Sequence, residues 1–167
     1  MSFLIRPARH DELASIRDLL VETWHDTYDA IYGAERVTAI TNEWHALDRL
    51  VRALGRQSHA FLVAEASDGT LLATASATLG NDGLVTLARL YVRPGCQGRG
   101  LGTAMLRACE TWFPQGRLMR LEIETKNARA RAFYAKRGFA ELPDHSQSSE
   151  HQNIFCEKAI GSARFCR

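Results

Sequence analysis

Between Leu90 and Thr103 the chain reads LYVRPGCQGRGLGT: an apolar run, a glycine-rich stretch and the start of a second apolar pattern. Gly98, Gly100 and Gly102 stand at alternate positions, which is unfavourable in the first turn of a helix unless something must approach the main chain there. A helix N-terminus has unsatisfied N–H groups and a partial positive charge, so a strand, a glycine-rich loop and a helix in this order suit a phosphate. A Walker A loop is excluded, because it needs Gly-Lys followed by Ser or Thr and the chain has Arg99-Gly100-Leu101. A dinucleotide fingerprint G-x-G-x-x-G starts at Gly98 or Gly100, with Thr103 or Met105 where its last glycine belongs, and Glu122 or Glu124 where a ribose-binding acid would stand. That fold requires parallel strands joined by crossover helices, whereas hairpin patterns precede this loop.

Other residues with chemical capacity follow. Glu122 and Glu124 alternate with Leu121 and Ile123, so both carboxylates share one face of a strand. Asn127 precedes a helical pattern as a capping residue does, and Tyr134 presents a phenol beside Phe133. The cysteines Cys96, Cys109, Cys156 and Cys166 form no CxxC pair and no zinc-ligand spacing, so they read as reduced thiols and no metal site is expected. The basic residues are 18 Arg and 3 Lys. Many of the arginines fall between Arg89 and Arg137, near the glycines, where guanidinium forks match phosphate oxygens.

The elements that must position these groups are readable from periodicity. Phe3 to Arg6 reads as a strand, and Asp11 is placed to cap a helix with apolar residues Leu13, Ile16, Leu20 and Trp24. The helical pattern breaks near Gly33, and a second helix is expected from Glu35 to Leu54. His59 to Glu65, Leu71 to Leu79 and Leu84 to Val92 read as an antiparallel meander with turns at Asp68-Gly69 and Asp82-Gly83. Leu101, Ala104, Met105, Ala108, Cys109 and Trp112 make an amphipathic helix. A strand at Leu118 to Thr125, a helix at Ala128 to Arg137 and two closing strands at Phe139 to Leu142 and Asn153 to Ile160 complete the order.

Gln97-Gly98-Arg99-Gly100-Leu101-Gly102 resembles the Q/R-x-x-G-x-G/A pyrophosphate loop of the GNAT superfamily of acyl-coenzyme A-dependent N-acyltransferases. Leu90-Tyr91-Val92-x-Pro is similar to that family's fourth strand and its exit. Asn127 to Phe139 is similar to its second signature, N-x-x-A-x-x-F-Y-x-x-x-G-F, and Ile5-Arg6-Pro7-Ala8 with Asp11 resembles its usual opening. The resemblance implies one N-acetyltransferase-like α/β domain over residues 1–167, with a mostly antiparallel sheet of six to seven strands flanked by about four helices. It also implies transfer of an acetyl group from acetyl-CoA to a primary amine, by direct attack through a tetrahedral intermediate.

By the same resemblance, the main chain of Leu90, Tyr91 and Val92 holds the pantetheine arm, and the Val92 amide polarises the thioester carbonyl. The turn from Gln97 through Gly98, Arg99, Gly100, Leu101, Gly102 and Thr103 cradles the pyrophosphate with its amides. Asn127 bonds the pantetheine chain, Tyr134 gives its proton to the departing sulfur, and Arg93, Arg99, Arg129 or Arg131 meets the ribose phosphate. Many family members carry a Glu early in the fourth strand where this chain has Thr86. Glu122 and Glu124 therefore stand as bases, with His25 and His45 as weaker alternatives. Trp24, Tyr28, Trp44 and the loop Asp144 to Gln152 are expected to shape a pocket for a small-molecule or protein amine. Thr86 also leaves open a coenzyme A-binding module without turnover.

Composition bounds these readings. The 167 residues are 46% hydrophobic and 24% charged with a net charge of +2, ordinary values for a globular domain and too balanced for broad nucleic-acid binding. No apolar run approaches the roughly 18 residues of a membrane span, and the opening Met1 to Pro7 is too short and too soon charged for a secretory signal. The expectation is a cytoplasmic monomer or homodimer without a membrane or nucleic-acid partner.

Overall fold

The computed structural model describes residues 2–142 and 153–161. Its elements are β1 (Phe3–Pro7), α1 (Leu13–Tyr32), α2 (Ala34–Trp44), α3 (Leu47–Leu54), β2 (His59–Ala66), β3 (Leu71–Leu79), β4 (Leu84–Val92), α4 (Leu101–Trp112), β5 (Leu118–Glu124), α5 (Ala128–Ala135), β6 (Ala140–Glu141) and β7 (Asn153–Ala159). The strands form one sheet in the order β1-β2-β3-β4-β5-β7-β6. Every neighbouring pair is antiparallel except β4 and β5, which run parallel.

The sheet is buried on both faces. Along β2, Ala60, Leu62 and Ala64 join a core beneath α4, while Phe61 and Val63 join a second core with Leu13, Ile16, Leu20 and Leu50 of α1 and α3. This is why the strand reads as a continuous apolar run rather than an alternation, as strands covered on both sides do. No described helix is long and apolar enough to cross a membrane.

Two expectations are corrected. The segment expected as one helix from Glu35 to Leu54 is two, α2 and α3, so that five α-helices flank the sheet among the described residues. Thr41 and Leu50 are both buried, yet nine residues are about 2.5 turns at 3.6 residues per turn, so one straight helix would set them on opposite faces. The chain escapes by taking an extended conformation at Ala46 (φ −56°, ψ 140°). The second correction concerns Asp11, which caps nothing and lies in a short 3-10 turn, His10–Glu12. Glu12 takes the N-terminal role instead: its carboxylate accepts the Arg9 N–H at 2.9 Å and both terminal nitrogens of Arg6 at 2.9 and 2.7 Å.

At the break between α2 and α3, His45 is buried, and neither ring nitrogen has a hydrogen-bond partner among the described residues. Burial first, and then the charge of Arg89, push its pKa from the ordinary 6.5 to about 4. The unfolded chain therefore binds the His45 proton at a higher pH than the folded one. The stability tied to this group is complete above about pH 6.5 and is lost as the pH falls from there toward 4. His45→Leu should flatten that loss. In thermal melts from pH 7 down to about 4.5, the variant's Tm falls less than that of the parent; parallel declines would exclude His45 as the responsible group.

Candidate active site

The site begins where two parallel strands part. β4 and β5 are paired from Leu84–Leu118 to Leu87–Leu121 and no further, although β4 runs on to Val92 and β5 to Glu124. The cause lies in β4. Against β3, Ala77 pairs with Leu87 and Ser76 with Arg89, so Ala88 is an extra residue, a bulge that bends the strand away. Past the bulge the Arg93 N–H donates to the Leu72 carbonyl at 2.8 Å, which turns the main chain of Arg93, and by alternation that of Tyr91, toward β3. The main-chain groups of Leu90 and Val92 consequently point into the gap. Gln97 folds back across its end, donating from Nε2 to the Val92 carbonyl at 2.9 Å.

The glycine-rich turn closes the same end of the gap. Gly98 (φ +77°) and Gly100 (φ +83°) lie in the left-handed region, and a Cβ at either would meet nothing within 4 Å, so the turn is open on its outer side. Gly100 is the residue before α4, its carbonyl accepts from Ala104, and no side chain caps the helix N-terminus. Gly102 differs: a Cβ there would stand 3.2 Å from the ring of Phe133 and 3.6 Å from Val92, so its glycine is set by close packing of α4 on α5. Arg137 locks that packing. Its guanidinium lies 3.6 Å from the Phe133 ring centre and donates to Thr103 Oγ1 and to the Phe133 carbonyl. The turn residues divide accordingly: Gln97, Gly98 and Gly102 line the cleft, Arg99 and Gly100 are exposed at its edge, Leu101 is buried beneath, and Thr103 is held by Arg137.

The gap is a cleft of about 510 Å³ that contains Leu90, Tyr91, Val92, Asn127, Arg129 and Tyr134 in its lining. Asn127 caps α5, its Oδ1 accepting from Ala130 N–H at 3.0 Å, while its Nδ2 donates to Tyr28 Oη at 3.3 Å. Tyr134 packs edge-on between Phe133 and Phe139 at 5.0 and 5.4 Å. Its hydroxyl has no hydrogen-bond partner among the described residues, and burial raises its pKa well above the ordinary tyrosine value, so the phenol keeps its proton. Cys96, Cys109 and Cys156 are free thiols. Burial pushes Cys109 up to about 12, which leaves it inert.

A second cavity of about 1190 Å³ adjoins the first, sharing Tyr28, Leu87 to Arg89, Tyr91, Leu121 and Glu122 with it. Trp24, Tyr28 and Tyr32, spaced four residues apart, present one stripe of α1 to it, and Trp44 meets Trp24 edge-on at 5.5 Å. Both acids of β5 line this cavity, in different states. Glu124 is buried, which opposes its charge, yet hydrogen bonds from Tyr32 Oη, the Lys126 amide and Thr125 outweigh that and hold its carboxyl below the usual range. Glu122 is exposed and faces both cavities, accepting from Asn153 Nδ2 at 2.7 Å. Thr86 lines the second cavity from β4. His25 lies in neither lining and pairs with Asp29 at 2.8 Å; His45 lines the second cavity but is held neutral. The loop Asp144 to Gln152 and Cys166 lie outside the described residues. The sequence assigned no role to Tyr32, whose i+4 spacing from Tyr28 was a usable signal, and marked Arg89 and Arg137 only as members of the arginine cluster near the glycines.

The model of the acetyltransferase (GNAT) family matches residues 13–139, well over half of the chain. The chain belongs to the GNAT acetyltransferase family. A mycothiol acetyltransferase from Beutenbergia cavernae is 38% identical over 89 residues, covering 52% of this chain and 30% of that protein. An uncharacterized N-acetyltransferase of Mycobacterium tuberculosis is 38% identical over 74 residues, covering 43% of this chain and 47% of that protein. These matches therefore span less than half the length of the curated relatives. Among solved structures, the PaiA N-acetyltransferase of Thermoplasma acidophilum in complex with coenzyme A superposes with a TM-score of 0.86 at 24% identity, over 95% of this chain and 99% of that one. A GNAT-family acetyltransferase from Staphylococcus aureus Mu50 gives 0.76 at 13% identity, over 95% and 99%. These likenesses carry the fold.

In this GNAT chain the arginines near the turn are mostly committed. Arg93 pairs with Glu22 and donates to the Leu71 carbonyl, and Arg131 forks onto Glu141 at 2.8 and 3.1 Å, whereas Arg99 and Arg129 are exposed beside the turn and the cleft. The two kinds of glycine are separable by substitution. Gly102→Val drives a branched side chain into Phe133 and should lower stability by about 1–3 kcal/mol in a urea melt, as overpacking does. Gly98→Ala meets open space and should lose only the ~1–2 kcal/mol of a left-handed residue with a Cβ. A harmless Gly102→Val would show that α4 and α5 are not packed as described.

Proposed function

We propose that this chain transfers an acetyl group from acetyl-CoA to a primary amine. The observation that carries the reading is the forked pair β4 and β5, whose main-chain edge at Leu90 and Val92, left without a ladder partner on β5, runs into an open glycine turn. A donor with a peptide-like arm and a diphosphate fits both parts: the arm adds to the strand edge, and the diphosphate meets the amides at the start of α4. The coenzyme A held by the solved PaiA neighbour and the acetyltransferase names of the relatives support this assignment.

Acetyl-CoA supplies an activated thioester carbonyl. The chain's own groups do the rest. The Val92 N–H, fixed in direction by the strand, is the donor aimed at negative charge developing in the gap. Tyr134 holds an uncommitted phenolic proton at the cleft wall and releases it to the leaving sulfur. The acceptor nitrogen enters from the second cavity, between the aromatic stripe of α1 and the acids of β5. Glu124 is too weak a base for proton removal and serves as a fixed negative charge that attracts an ammonium group. Glu122, facing both cavities, is the group placed to take the proton directly or through water, replacing the carboxylate that Thr86 lacks.

Tyr134→Phe keeps the ring and removes the proton. It should lower kcat ~10²–10⁴-fold while KM for acetyl-CoA and the denaturant midpoint stay nearly unchanged, because no hydrogen bond is lost. Single-turnover chemistry close to the parent rate would pass the proton-donor role to solvent water. A second experiment concerns the ribose phosphate. Acetyl-CoA raises Tm by binding the folded state, and dephospho-coenzyme A should raise it less. The difference should vanish in an Arg99→Ala, Arg129→Ala double variant; equal shifts in the parent would place both arginines outside the binding surface.

A further inference from the structure

Arg89 is the charged group that the acyl-transfer scheme leaves unused. It is half-buried on β4 just past the bulge and lines both cavities. Its one hydrogen bond among the described residues is a long one, 3.5 Å from Nη1 to Ser76 Oγ. Among the described residues, the groups that interact with it electrostatically carry no negative charge: the phenol of Tyr91, which burial keeps protonated, and the rings of His45 and His59, both pushed toward the neutral form. Other half-buried arginines of this fold are engaged more fully: Arg137, which also has no carboxylate partner among the described residues, is held by Thr103, the Phe133 carbonyl and the Phe133 ring. Arg6 is held by Glu12 and Glu65, Arg93 by Glu22, and Arg120 by Glu157. A partly desolvated cation without a counterion is unfavourable, and such a group stays in a fold where something else brings the charge.

The second cavity is polarised around it. Glu122 and Glu124 occupy the β5 side, and Arg89 sits on the β4 side with Arg49, Arg52 and Arg56 beyond it. Arg49 and Arg52 are tied to Glu43 and Asp48 on the exposed rim, Arg120 is paired with Glu157 and Arg56 is exposed, so Arg89 is the half-buried cation that the cavity presents without an acid partner among the described residues. We propose that the acceptor is a small amine that also carries an anionic group, a carboxylate or a phosphate, and that Arg89 receives this group in the second cavity. The inference rests on the acyl-transfer reading and narrows it to a substrate class. Arg89 precedes Val92 by three residues, about 10 Å along a strand, so a chain of several atoms separates the nucleophilic nitrogen from the anion. A guanidinium fork suits either oxyanion.

The test compares matched acceptors in the parent and in Arg89→Met. The pairs are 4-aminobutanoate with butylamine, 6-aminohexanoate with hexylamine, and 2-aminoethyl phosphate with ethylamine. The parent should favour the anionic member of at least one pair by ~10-fold or more in kcat/KM, and the pair that responds tells carboxylate from phosphate. Arg89→Met should reduce that preference by a similar factor, and Arg89→Gln, which keeps a donor without the charge, should follow it. Equal preference in parent and variants overturns the proposal. A ligand-free readout is independent of turnover: removing an uncompensated charge should raise Tm in Arg89→Met, whereas a lowered Tm would make Arg89 a structural partner of Ser76 and overturn the proposal. If the parent turns over no amine, the acyl-transfer reading has failed. Arg89 is then judged by whether 4-aminobutanoate or 2-aminoethyl phosphate raises the parent's Tm and not the variant's; no shift in the parent overturns the anion site as well.

Discussion

The parallel pairing of β4 with β5 lasts for only four residues, and both cavities exist because it stops. An antiparallel sheet with uninterrupted ladders has no reason to open in its middle, since every buried N–H and C=O wants a partner. Here one extra residue, Ala88, bends β4 off its neighbour. The cost is a stretch of strand at Leu90 and Val92 whose main-chain groups have no ladder partner on β5. Those groups have a fixed direction, and of them the Val92 carbonyl is already taken by Gln97 Nε2. The glycine turn, α4 and α5 then close one side of the opening, with Arg137 joining the start of α4 to the carbonyl and ring of Phe133.

The electrostatics on the other side of the fork follow from burial. Two carboxylates on alternate positions of β5 start from the same chemistry and end in different roles. Glu124 is enclosed and hydrogen-bonded from three directions, and Glu122 is left open to both cavities. His45 and Arg89, in the lining of the same cavity, respond to burial in different ways. The imidazole gives up its proton and becomes neutral, while the guanidinium cannot and remains a charge. A wall that neutralises one base and isolates another is a strong filter for what can settle against it.

Much of this was legible from residue order alone, for identifiable reasons. Strand and helix identities followed from periods of 2 and 3.6, and the turn glycines announced themselves because few other roles require three at alternate positions. The split between α2 and α3 was not legible, because each half keeps a good helical pattern and only the half-turn phase slip between Thr41 and Leu50 betrays the break. The Ala88 bulge has no composition signal, since alanine is common on any strand. Nor could the state of Arg89 be read, because its isolation is defined by what the fold fails to place near it. Asp11 and Glu12 show a subtler limit: both are adequate anchors for a helix start, and the choice between them was made by Arg6, which reaches Glu12 from the neighbouring strand.

The alternation along β4 past its bulge divides the strand's labour. Main-chain atoms of Leu90 and Val92 face the gap between β4 and β5, and the side chains of Arg89 and Tyr91 line both cavities. A backbone is the same whatever residues it carries, whereas side chains are free to vary from one descendant to the next. Under the proposed reading, substitutions at Arg89 or Tyr91 would alter what settles in the second cavity while leaving the main-chain edge of the donor side in place.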